Sequence, residues 1–384
     1  MEDKTTLLKS FDEKKFKKIS DSRTNWLNSG EDMIINENHK TNEIAREIKP
    51  SSIIVNVKEI KDEISNYKTI VLNNIKENEL PLFRAGQKIA VDVNINGIKY
   101  TRPYSLTCSP LQSLSGEYSI TVKNDEEDIV SNYLFNNLTE GDRLSISSPF
   151  GTFYWESMRD EENVIAIVSD GGIMPIYSMI KAIIDGVDNY KLTIFYSEKN
   201  EKDLVFKKKL LEYNEVSNKV KVNIVLSEEK KAGYMSGFVS LDKIKKEYDS
   251  GNTSIFIAGN EGLLKYLDNE LKDLSIPKKF IRYDNFLPRC NIRKVVKYNL
   301  ILYIKDEKYE IPCYNNKTIM KAIEESDIYL PSKCQNGSCG FCRSELLKGE
   351  VKIVNDKRTM ADKKYNYIHP CATYPKSDIE IIVR

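Results

Sequence analysis

The sequence lacks the features that mark a secreted, membrane-spanning or nucleic-acid-binding protein. Lys plus Arg number 58 against 57 Asp plus Glu, and this net charge of +1 gives no general attraction to nucleic acid or anionic lipid. No apolar run approaches the roughly 20 residues that span a bilayer. The charged N-terminal segment MEDKTTLLKSFDEKKFKK also lacks the apolar core of a signal peptide. We therefore expect a cytoplasmic protein whose cysteines stay reduced.

Histidine is scarce, whereas cysteine is concentrated at one end of the chain. His39 and His369 are the only histidines, and four of the seven cysteines occur in the last 51 residues. An odd number of cysteines with this clustering favours a ligand set over a disulfide framework. His369 lies two residues before Cys371, but four cysteines already complete a ligand set. We therefore expect His369 on the surface or beside the ligands.

The segment KCQNGSCGFC, residues 333–342, carries most of this cysteine pattern. Four residues separate Cys334 from Cys339, two separate Cys339 from Cys342, and 28 separate Cys342 from Cys371. Zinc sites usually present two short cysteine pairs, whereas this layout is the plant-type pattern for a [2Fe-2S] cluster. The two glycines of the segment permit a close approach of backbone N–H groups to a negatively charged cluster. Zinc or reduced structural cysteines remain the alternatives.

The residues around these cysteines carry a wider resemblance. CQNGSCGFCRSELLKGEV, followed by HPCATYPKSD, resembles the plant-type ferredoxin domain fused to bacterial NAD(P)H-dependent flavin reductases. Cys108, Cys290 and Cys313 have no place in that pattern, and we expect them to be small apolar residues. The resemblance implies that the cluster ligands are Cys334, Cys339, Cys342 and Cys371.

Hydrophobic periodicity changes twice along the chain and predicts three folded parts. Between residues 51 and 155, alternating segments such as SIIVNVKEI and QKIAVDVNI predict a small antiparallel barrel. From residue 159, continuous apolar strands such as ENVIAIVSD alternate with helical stretches and predict a doubly wound parallel sheet. The last part mixes strands with the helical segment TIMKAIEES and predicts a compact α+β module.

The segment RPYSLTCSP, residues 102–110, identifies the cofactor of the barrel. Together with the later YSITVK, VSNYL and GDRLSISSPFGTFYW, it resembles the flavin domain of the ferredoxin-NADP reductase superfamily over most of residues 51–155. Arg102 can hold a flavin phosphate, Tyr104 offers a flat face to the isoalloxazine ring, and Ser105 offers a hydroxyl to its edge. The resemblance adds residues along the ring and at the diphosphate, where Ser131 and the helix it opens should lie. The predicted flavin site is Arg102, Pro103, Tyr104, Ser105, Val122, Lys123, Val130 and Ser131.

One residue departs from the flavin pattern of the superfamily. Asp128 stands three residues before Ser131, where the family usually has glycine. A carboxylate beside a diphosphate is unfavourable unless it turns away. FAD is the expected flavin, with FMN as the alternative.

The predicted pyridine nucleotide site is less complete than the flavin site. In IVSDGGIMPIYSM, Gly172 and Pro175 match the GGxGxxP turn of these reductases, but Ser169 and Asp170 replace its first two glycines. A second signature, usually CGP, is AGN at residues 258–260, and a plain strand-to-helix turn is the alternative reading. Glu198 beside Lys199 leaves NAD and NADP open, and Phe286 in RYDNF could equally be a core residue. The predicted nucleotide and ring contacts are Gly171, Gly172, Pro175, Ser197, Gly259 and Phe286.

These parts together predict a multidomain electron-transfer protein. A hydride carries two electrons and the cluster accepts one, so a flavin must lie between them. We expect an NAD(P)H-dependent iron–sulfur flavoprotein reductase that supplies an external acceptor protein. The predicted domains are a polar, partly helical extension (1–50), an antiparallel β-barrel flavin domain (51–158), an α/β doubly wound NAD(P) domain (159–287), a linker (288–297) and an α+β (β-grasp) ferredoxin domain (298–384).

Two other hypotheses follow from the same residues. The altered turns at Asp170 and Asn260 are compatible with an electron-transfer subunit that has lost its nucleotide site and serves a partner enzyme in a complex. Residues 1–50 are also a candidate docking arm for the acceptor.

Overall fold

The computed structural model describes most of the chain after residue 48. It covers residues 49–384 except 76–79, 275, 286–291, 293, 306 and 384, and it describes five helical positions among the first 48 residues: 17, 18, 21, 44 and 48. The chain divides into two units, Met1–Ile48 and Lys49–Arg384. The predicted extension therefore lies almost wholly outside the described residues. Of the helices described, none has the length and apolar character needed to cross a membrane.

A six-stranded antiparallel sheet forms the first part of the second unit. Its strands are β1 (Ile53–Ile64), β2 (Tyr67–Asn74), β3 (Lys88–Ile95), β4 (Ile98–Ser105), β5 (Glu117–Lys123) and β6 (Arg143–Ile146). The strand order is β4-β3-β6-β1-β2-β5, and a bridge from Leu106 to Ile120 joins the two edges into a barrel. Alternation turns residues such as Val55 and Val57 into the core, because successive side chains of a strand face opposite sides.

Two short helices, α1 (Pro110–Leu114) and α2 (Ile129–Asn136), accompany the barrel. The side chain of Asp128 caps α2 by accepting hydrogen bonds from the N–H groups of Val130 and Ser131, which would otherwise lack partners. Helix α2 thus begins two residues before Ser131, and its first turn is satisfied by the protein itself.

A six-stranded parallel sheet follows, as the buried apolar segments predict. Its strands are β7 (Asn163–Ser169), β8 (Lys191–Glu198), β9 (Val220–Leu226), β10 (Met235–Ser236), β11 (Thr253–Gly259) and β12 (Ile281–Asn285). Its helices are α3 (Ile173–Ile184), α4 (Lys207–Val216), α5 (Leu241–Lys245) and α6 (Glu261–Glu270). The order β10-β9-β8-β7-β11-β12 reverses direction between β7 and β11. Ligands of such sheets bind at this reversal, outside the carboxyl ends of the strands.

The barrel and the parallel sheet share a hydrophobic core. Tyr67, Ala85 and Phe153 of the barrel part belong to the same buried cluster as Ile176 and Met179 of α3. Removing this much apolar surface from water fixes the two parts against each other and holds the flavin motif close to the carboxyl end of β7.

The C-terminal part is a mixed five-stranded sheet crossed by one helix, as expected for an α+β ferredoxin module. The strand order is β14-β13-β19-β15-β17, and β13 is antiparallel to β14 and parallel to the central β19. Helix α7 packs on the sheet through Ile319 and Ile323, which are fully buried. The elements are β13 (Lys297–Ile304), β14 (Glu307–Tyr314), α7 (Ile319–Glu324), β15 (Ser344–Lys348), β16 (Val351–Ile353), α8 (Met360–Lys364), β17 (Tyr367–Ile368), β18 (Thr373–Pro375) and β19 (Ile379–Val383). The predicted multidomain fold is confirmed.

Candidate functional site

A cavity of about 320 Å³ lies where the three parts meet. The barrel lines it with the flavin motif, the parallel sheet with its two nucleotide turns, and the ferredoxin module with its cysteine loop. Its lining includes Arg102, Pro103, Tyr104, Ser105, Lys123, Ser131, Asp170, Gly171, Gly259, Asn260, Cys334, Val354 and Asn355. Six residues of the predicted flavin site, two of the predicted nucleotide site and one cluster cysteine therefore face one space.

The flavin motif gives this cavity an aromatic and hydroxyl-bearing wall. Tyr104 Oη lies 3.1 Å from Ser131 Oγ, so β4 and α2 are joined across the cavity. Burial raises the pKa of Tyr104, which stays a neutral hydrogen-bonding group at physiological pH. The side chains of Val122 and Val130 are fully buried in the barrel core, so only their backbone is available to a cofactor.

Arg102, predicted to hold the flavin phosphate, is already held by two carboxylates. It donates from Nε to Asp128 (2.6 Å) and from Nη1 and Nη2 to Glu324 of α7 (2.8 Å each). Nη1 also donates to the Thr101 carbonyl (2.9 Å), so four of the five guanidinium N–H groups have partners. The Arg102 side chain is 8 % exposed. The phosphate role of Arg102 stays a prediction, and a phosphate there has to replace one of these partners.

Asp128 does not turn away from the flavin site but faces Arg102. Burial acts to raise the pKa of its carboxyl, but the charge of Arg102 and the N–H of Ser131 outweigh that effect and lower the pKa. Asp128 is therefore ionised. Its charge is balanced locally by the arginine and by the amino end of α2.

The nucleotide turns after β7 and β11 touch each other through glycine. A Cβ on Gly172 would lie 2.1 Å from the Ala258 carbonyl oxygen, and a Cβ on Gly259 would lie 2.5 Å from Ser169 Oγ. At Gly172 this contact requires glycine, because the Ala258 backbone cannot move aside as a flexible side chain can. At Gly259 a Cβ would also crowd the Leu263 side chain (2.9 Å) and the Ser169 carbonyl (3.2 Å). The two glycines that match the family thus meet a demand for space.

Asp170 has a backbone conformation that glycine adopts readily. Its φ is +52°, the left-handed region that aspartate tolerates better than most residues. Its carboxylate accepts hydrogen bonds from Tyr67 Oη (2.6 Å) and Lys123 Nζ (2.8 Å) of the barrel. Asp170 thus meets the conformational demand of the turn and connects the barrel to the parallel sheet.

Glu198, at the end of β8, reaches back to this turn. Its Oε1 accepts a hydrogen bond from the Asp170 N–H at 2.6 Å. Burial raises the pKa of Glu198 to about 7, with the nearby charge of Asp170 acting in the same direction and its N–H opposing it. Lys199 points elsewhere and pairs with Glu228 at the exposed surface.

Two other predicted nucleotide contacts, Pro175 and Ser197, are not among the residues that line the cavity. Pro175 is buried within α3, and Ser197 pairs with Ser169 in the sheet register. Phe286 lies outside the described residues. For these positions the binding roles stay predictions.

The cysteine loop surrounds its sulfur atoms with backbone N–H groups. Cys371 Sγ accepts from the Gly337 N–H (3.3 Å), and Cys334 Sγ accepts from Ser338 (3.3 Å) and from Cys339 (3.4 Å). Gly337 has φ +76°, and a Cβ there would lie 2.8 Å from the Ala372 Cβ. Glycine is thus needed both for the turn and for the close approach that the sequence indicated.

This donor set fits an iron–sulfur cluster. Cys342 Sγ and Cys371 Sγ are 3.4 Å apart. Hydrogen bonds between the thiols lower the pKa of Cys334 and of Cys342 and raise the pKa of Cys339 and of Cys371, so the four sulfur atoms interact as one group. Over the described part of the chain, no group of three or more His, Cys, Asp or Glu side chains is arranged around a single metal ion. Cys108 is buried in the barrel core, Cys313 is buried in the core of the ferredoxin module but outside the loop, and Cys290 lies outside the described residues.

His369 is a buried neighbour of the loop. It is 3 % exposed, and its Nδ1 lies 2.6 Å from the Gly337 carbonyl oxygen. Of the two places expected for it, the structure gives the one beside the ligands. Its ring supports the backbone turn that directs the Gly337 N–H at Cys371.

Several cavity residues had no signal in the sequence. Tyr67 and Asn355 belong to segments without a motif, and Lys88 forms a buried ion pair with Asp284 at 2.6 Å that joins β3 to β12. Of these residues, only Asp284 belongs to a segment with a family resemblance, RYDNF. Contacts between residues about 200 positions apart in the chain depend on how the domains pack and leave no local pattern.

Family models match all three parts in chain order. An oxidoreductase FAD-binding domain matches residues 54–155, an oxidoreductase NAD-binding domain residues 169–269, and a 2Fe-2S iron-sulfur cluster binding domain residues 302–376. The NAD-binding match includes both altered turns, so nothing in these matches supports a chain that has lost its nucleotide site.

Three curated relatives are similar to this chain over 60 to 78 % of its length. Flavohemoprotein A of Dictyostelium discoideum is 30 % identical over 60 % of this chain, which spans 59 % of that protein's length. NADH oxidoreductase HCR of Escherichia coli is 21 % identical, covering 77 % of this chain and 88 % of the relative. The glycine betaine monooxygenase reductase subunit of Pseudomonas aeruginosa is 24 % identical, covering 78 % and 87 %.

A solved structure shows the same domain arrangement. Phthalate dioxygenase reductase, described as a modular structure for electron transfer from pyridine nucleotides to [2Fe-2S], superposes with a TM-score of 0.64 at 20 % identity. The match covers 86 % of this chain and 97 % of that one. This chain is therefore a member of the ferredoxin-NADP reductase superfamily with a C-terminal plant-type ferredoxin domain, an NAD(P)H-dependent oxidoreductase that carries electrons through flavin and a [2Fe-2S] cluster.

Proposed function

We propose that this protein is the reductase component of a two-protein system and delivers single electrons to a separate oxygenase-type acceptor. The observation that carries the proposal is the cavity, because nucleotide turns, flavin motif and Cys334 all line it. Electrons arriving at the β7 and β11 turns then cross one space to reach the cysteine loop. The FAD-binding, NAD-binding and cluster-binding matches, named here in chain order, correspond to the three cofactors of this route.

The side chains of this protein bind and orient, and the cofactors supply the redox chemistry. A bound flavin takes up the two electrons of a hydride together and gives them up singly. Tyr104 and Ser105 form the wall for its ring, and Ser131 with the Arg102 end of the cavity receives its phosphate. Glu198 and the turn at Asp170 receive the nucleotide, and Cys334 is the cluster ligand on the cavity side.

We assign NADH as the preferred donor. Glu198 points at the turn after β7, where a carboxylate can accept a hydrogen bond from an adenosine ribose hydroxyl and repel a 2′-phosphate. Lys199, the only cation next to it in sequence, is paired with Glu228 and faces solvent. The E. coli relative named an NADH oxidoreductase agrees with this assignment.

The acceptor is assigned to the class that two relatives name. One relative is a monooxygenase reductase subunit and the solved neighbour a dioxygenase reductase. Cys339 is the one cluster cysteine that is only partly buried, and Phe341 beside it is 59 % exposed. We place the exit of electrons at this exposed edge of the loop.

Anaerobic stopped-flow reduction tests the proposal. Mixing with NADH should bleach the flavin first and the visible bands of the cluster second, and NADPH should react at least tenfold more slowly. The cluster bands should recover when an oxidised Rieske-type oxygenase is added, and not when free oxygenase substrate is added. Reduction by neither nucleotide, or cluster reduction that precedes flavin bleaching, contradicts the route.

A further inference from the structure

The contact between Arg102 and Glu324 joins the flavin site to the ferredoxin module. Glu324 is the last residue of α7, and its two carboxylate oxygens each accept one hydrogen bond from the guanidinium at 2.8 Å. The two side chains are 8 % and 10 % exposed, so the pair is shielded from water. A charge-assisted, two-point contact of this kind is among the stronger polar interactions between domains.

Glu324 and Asp128 hold Arg102 in different ways. Asp128 belongs to the barrel and is also fixed by two N–H groups of α2. Glu324 comes from another domain, and Arg102 is the partner that its two oxygens share. A phosphate that binds Arg102 must replace one carboxylate, since two anions cannot share the same N–H pair. Glu324 has fewer hydrogen-bond partners than Asp128, so the phosphate displaces Glu324 from Arg102.

We infer that Glu324 is a positioning residue that competes with the flavin phosphate for Arg102, and so links flavin binding to docking of the cluster domain. This inference rests on the proposed position of the phosphate at Arg102. When Glu324 is released, the ferredoxin module loses its charged contact with the barrel and keeps the weaker ones. Those include the hydrogen bonds from Lys321 Nζ to the Glu127 carbonyl (3.2 Å), from Gln335 Nε2 to the Thr101 carbonyl (3.3 Å) and from Tyr100 Oη to Asp327 (3.4 Å), and the Lys333 ammonium 4.5 Å from the centre of the Phe150 ring.

Such competition is reciprocal. While the cluster domain is docked, displacement of Glu324 reduces the binding free energy of the phosphate. Undocking removes this cost, so it tightens flavin binding by the same factor by which flavin binding weakens docking. The loaded protein then has a less firmly docked cluster domain than the flavin-free protein. A domain released in this way can turn its exposed Phe341 edge toward an acceptor while the barrel keeps the flavin.

Flavin titration of the flavin-free protein tests the competition. FAD and FMN carry a phosphate at the inferred position, and riboflavin carries none. In Glu324→Gln the Kd of FAD and of FMN should fall about tenfold, which corresponds to about 1.4 kcal/mol. The Kd of riboflavin should not change. The matched control is Glu325→Gln, because that carboxylate is the next residue and pairs with Lys317 away from the interface.

Hydrogen exchange of the unmodified chain gives a second readout that needs no variant. FMN and FAD should speed amide exchange in residues 319–324 of the wild type, and riboflavin should not. Glu324→Gln should show the faster exchange without any flavin. An unchanged or weaker affinity of Glu324→Gln for FMN, or equal exchange with FMN and riboflavin, overturns the inference.

Arg102→Gln separates this inference from the proposed phosphate position. If the phosphate binds Arg102, that variant binds FMN no better than riboflavin. An Arg102→Gln protein that still prefers FMN shows that the phosphate binds elsewhere. If Arg102→Gln loses the preference and Glu324→Gln fails to increase it, the position is right and the competition is wrong. A Glu324→Asp protein, with the charge retained on a shorter side chain, should lie between wild type and Glu324→Gln in FMN affinity.

Discussion

The cysteine loop and the nucleotide turn after β7 show two different ways in which a motif can be kept. In the loop, the chemistry depends on the residue type itself, since the four cysteines are the predicted iron ligands and thiolates are the ligands of a plant-type cluster. In the turn, two family glycines have become Ser169 and Asp170, yet Asp170 has φ +52° and keeps a glycine-like backbone. The turn therefore lacks the family's glycines at these two positions, but Asp170 has a backbone conformation that glycine adopts readily.

The difference shows that a glycine in a motif can meet either of two structural requirements, space or backbone conformation. At Gly172 and Gly259 the requirement is space, because a Cβ would meet atoms of the facing turn at 2.1 and 2.5 Å. At position 170 the requirement is a left-handed φ, which aspartate can also supply. Positions that require space resist substitution, and positions that require conformation accept Asp or Asn.

Replacing a cluster cysteine should give the largest effect of this comparison. Cys342→Ala removes one of the four thiols, so the purified protein should contain little iron or sulfide and lack the visible cluster bands. NADH should still bleach the flavin, because the barrel and the parallel sheet are untouched. Iron and sulfide assays with an anaerobic NADH titration check both results.

Cys313→Ala is the control for this change. Cys313 is as buried as Cys342 but lies in β14, outside the loop. It should keep a full cluster and lose only stability, by about 1 kcal/mol as expected for a small loss of core volume. Equal cluster loss in both variants would mean that general destabilisation, and not ligand removal, empties the loop.

Adding a methyl group to Gly172 should break the nucleotide turn. The new Cβ meets the Ala258 carbonyl, so the turns after β7 and β11 must separate, at a cost of about 1–3 kcal/mol. Gly172→Ala should therefore weaken NADH binding more than tenfold and lower the midpoint of thermal unfolding. Fluorescence titration with NADH and a melting curve measure these changes.

Gly262→Ala in α6 provides the contrast, since the nearest atom to its Cβ is the Asn260 side chain at 3.2 Å. Alanine favours a helix over glycine by about 1 kcal/mol, but its Cβ crowds the Asn260 oxygen that caps α6, so this variant should lie within about 1 kcal/mol of wild type in stability. A Gly172→Ala protein that binds NADH normally would show that the two turns have room to move apart.

Three substitutions of Asp170 should separate conformation from charge. Asp170→Gly and Asp170→Asn keep a left-handed φ and remove a carboxylate from the cavity wall, so NADH should bind about threefold to tenfold more tightly. Asp170→Ala removes the same charge but strains the backbone by about 1–2 kcal/mol. Its NADH affinity should fall below that of the Gly and Asn variants. Equal affinities of the three variants would show that only charge matters at this position.

The sequence predicted the elements that have their own local pattern. Alternation predicted the barrel strands, continuous apolar runs such as that of β7 predicted the parallel sheet, and cysteine spacing predicted the loop. The strand β12 was missed, because RYDNF has polar residues at alternate positions and was examined only as a site motif. The capping of α2 by Asp128 was missed as well, although aspartate before an apolar run is a helix-start signal.

Contacts between domains were beyond prediction from the sequence. Glu324 lies 222 positions from Arg102, in a helix of another domain, and nothing near it in the sequence indicates a flavin-site partner. The same is true of Lys88 and Asp284. Local patterns determine elements, but a buried ion pair between domains depends on how completed domains pack.

The smallest expected effect concerns Glu198, whose carboxylate accepts a hydrogen bond from the Asp170 N–H. Its pKa is raised to about 7, mainly by burial, so the carboxylate gains a proton as the pH falls from 8 to 6. Loss of that charge removes the repulsion of a 2′-phosphate, and the preference for NADH over NADPH should shrink by about threefold to tenfold over this range.

The free energy of unfolding should also change as Glu198 titrates, and its direction follows from the difference in pKa between the folded and the unfolded chain. Between pH 4.5, the ordinary value for glutamate, and pH 7 the folded protein holds a proton that the unfolded chain has released. This group therefore lowers the free energy of unfolding as the pH rises through that interval.

Glu198→Gln should remove this slope and flatten most of the pH dependence of the nucleotide preference, leaving the part due to the 2′-phosphate itself. Competition titrations with both nucleotides at pH 6, 7 and 8 would contradict the assignment if wild type and Glu198→Gln change in parallel, because Glu198 would then lie away from the ribose.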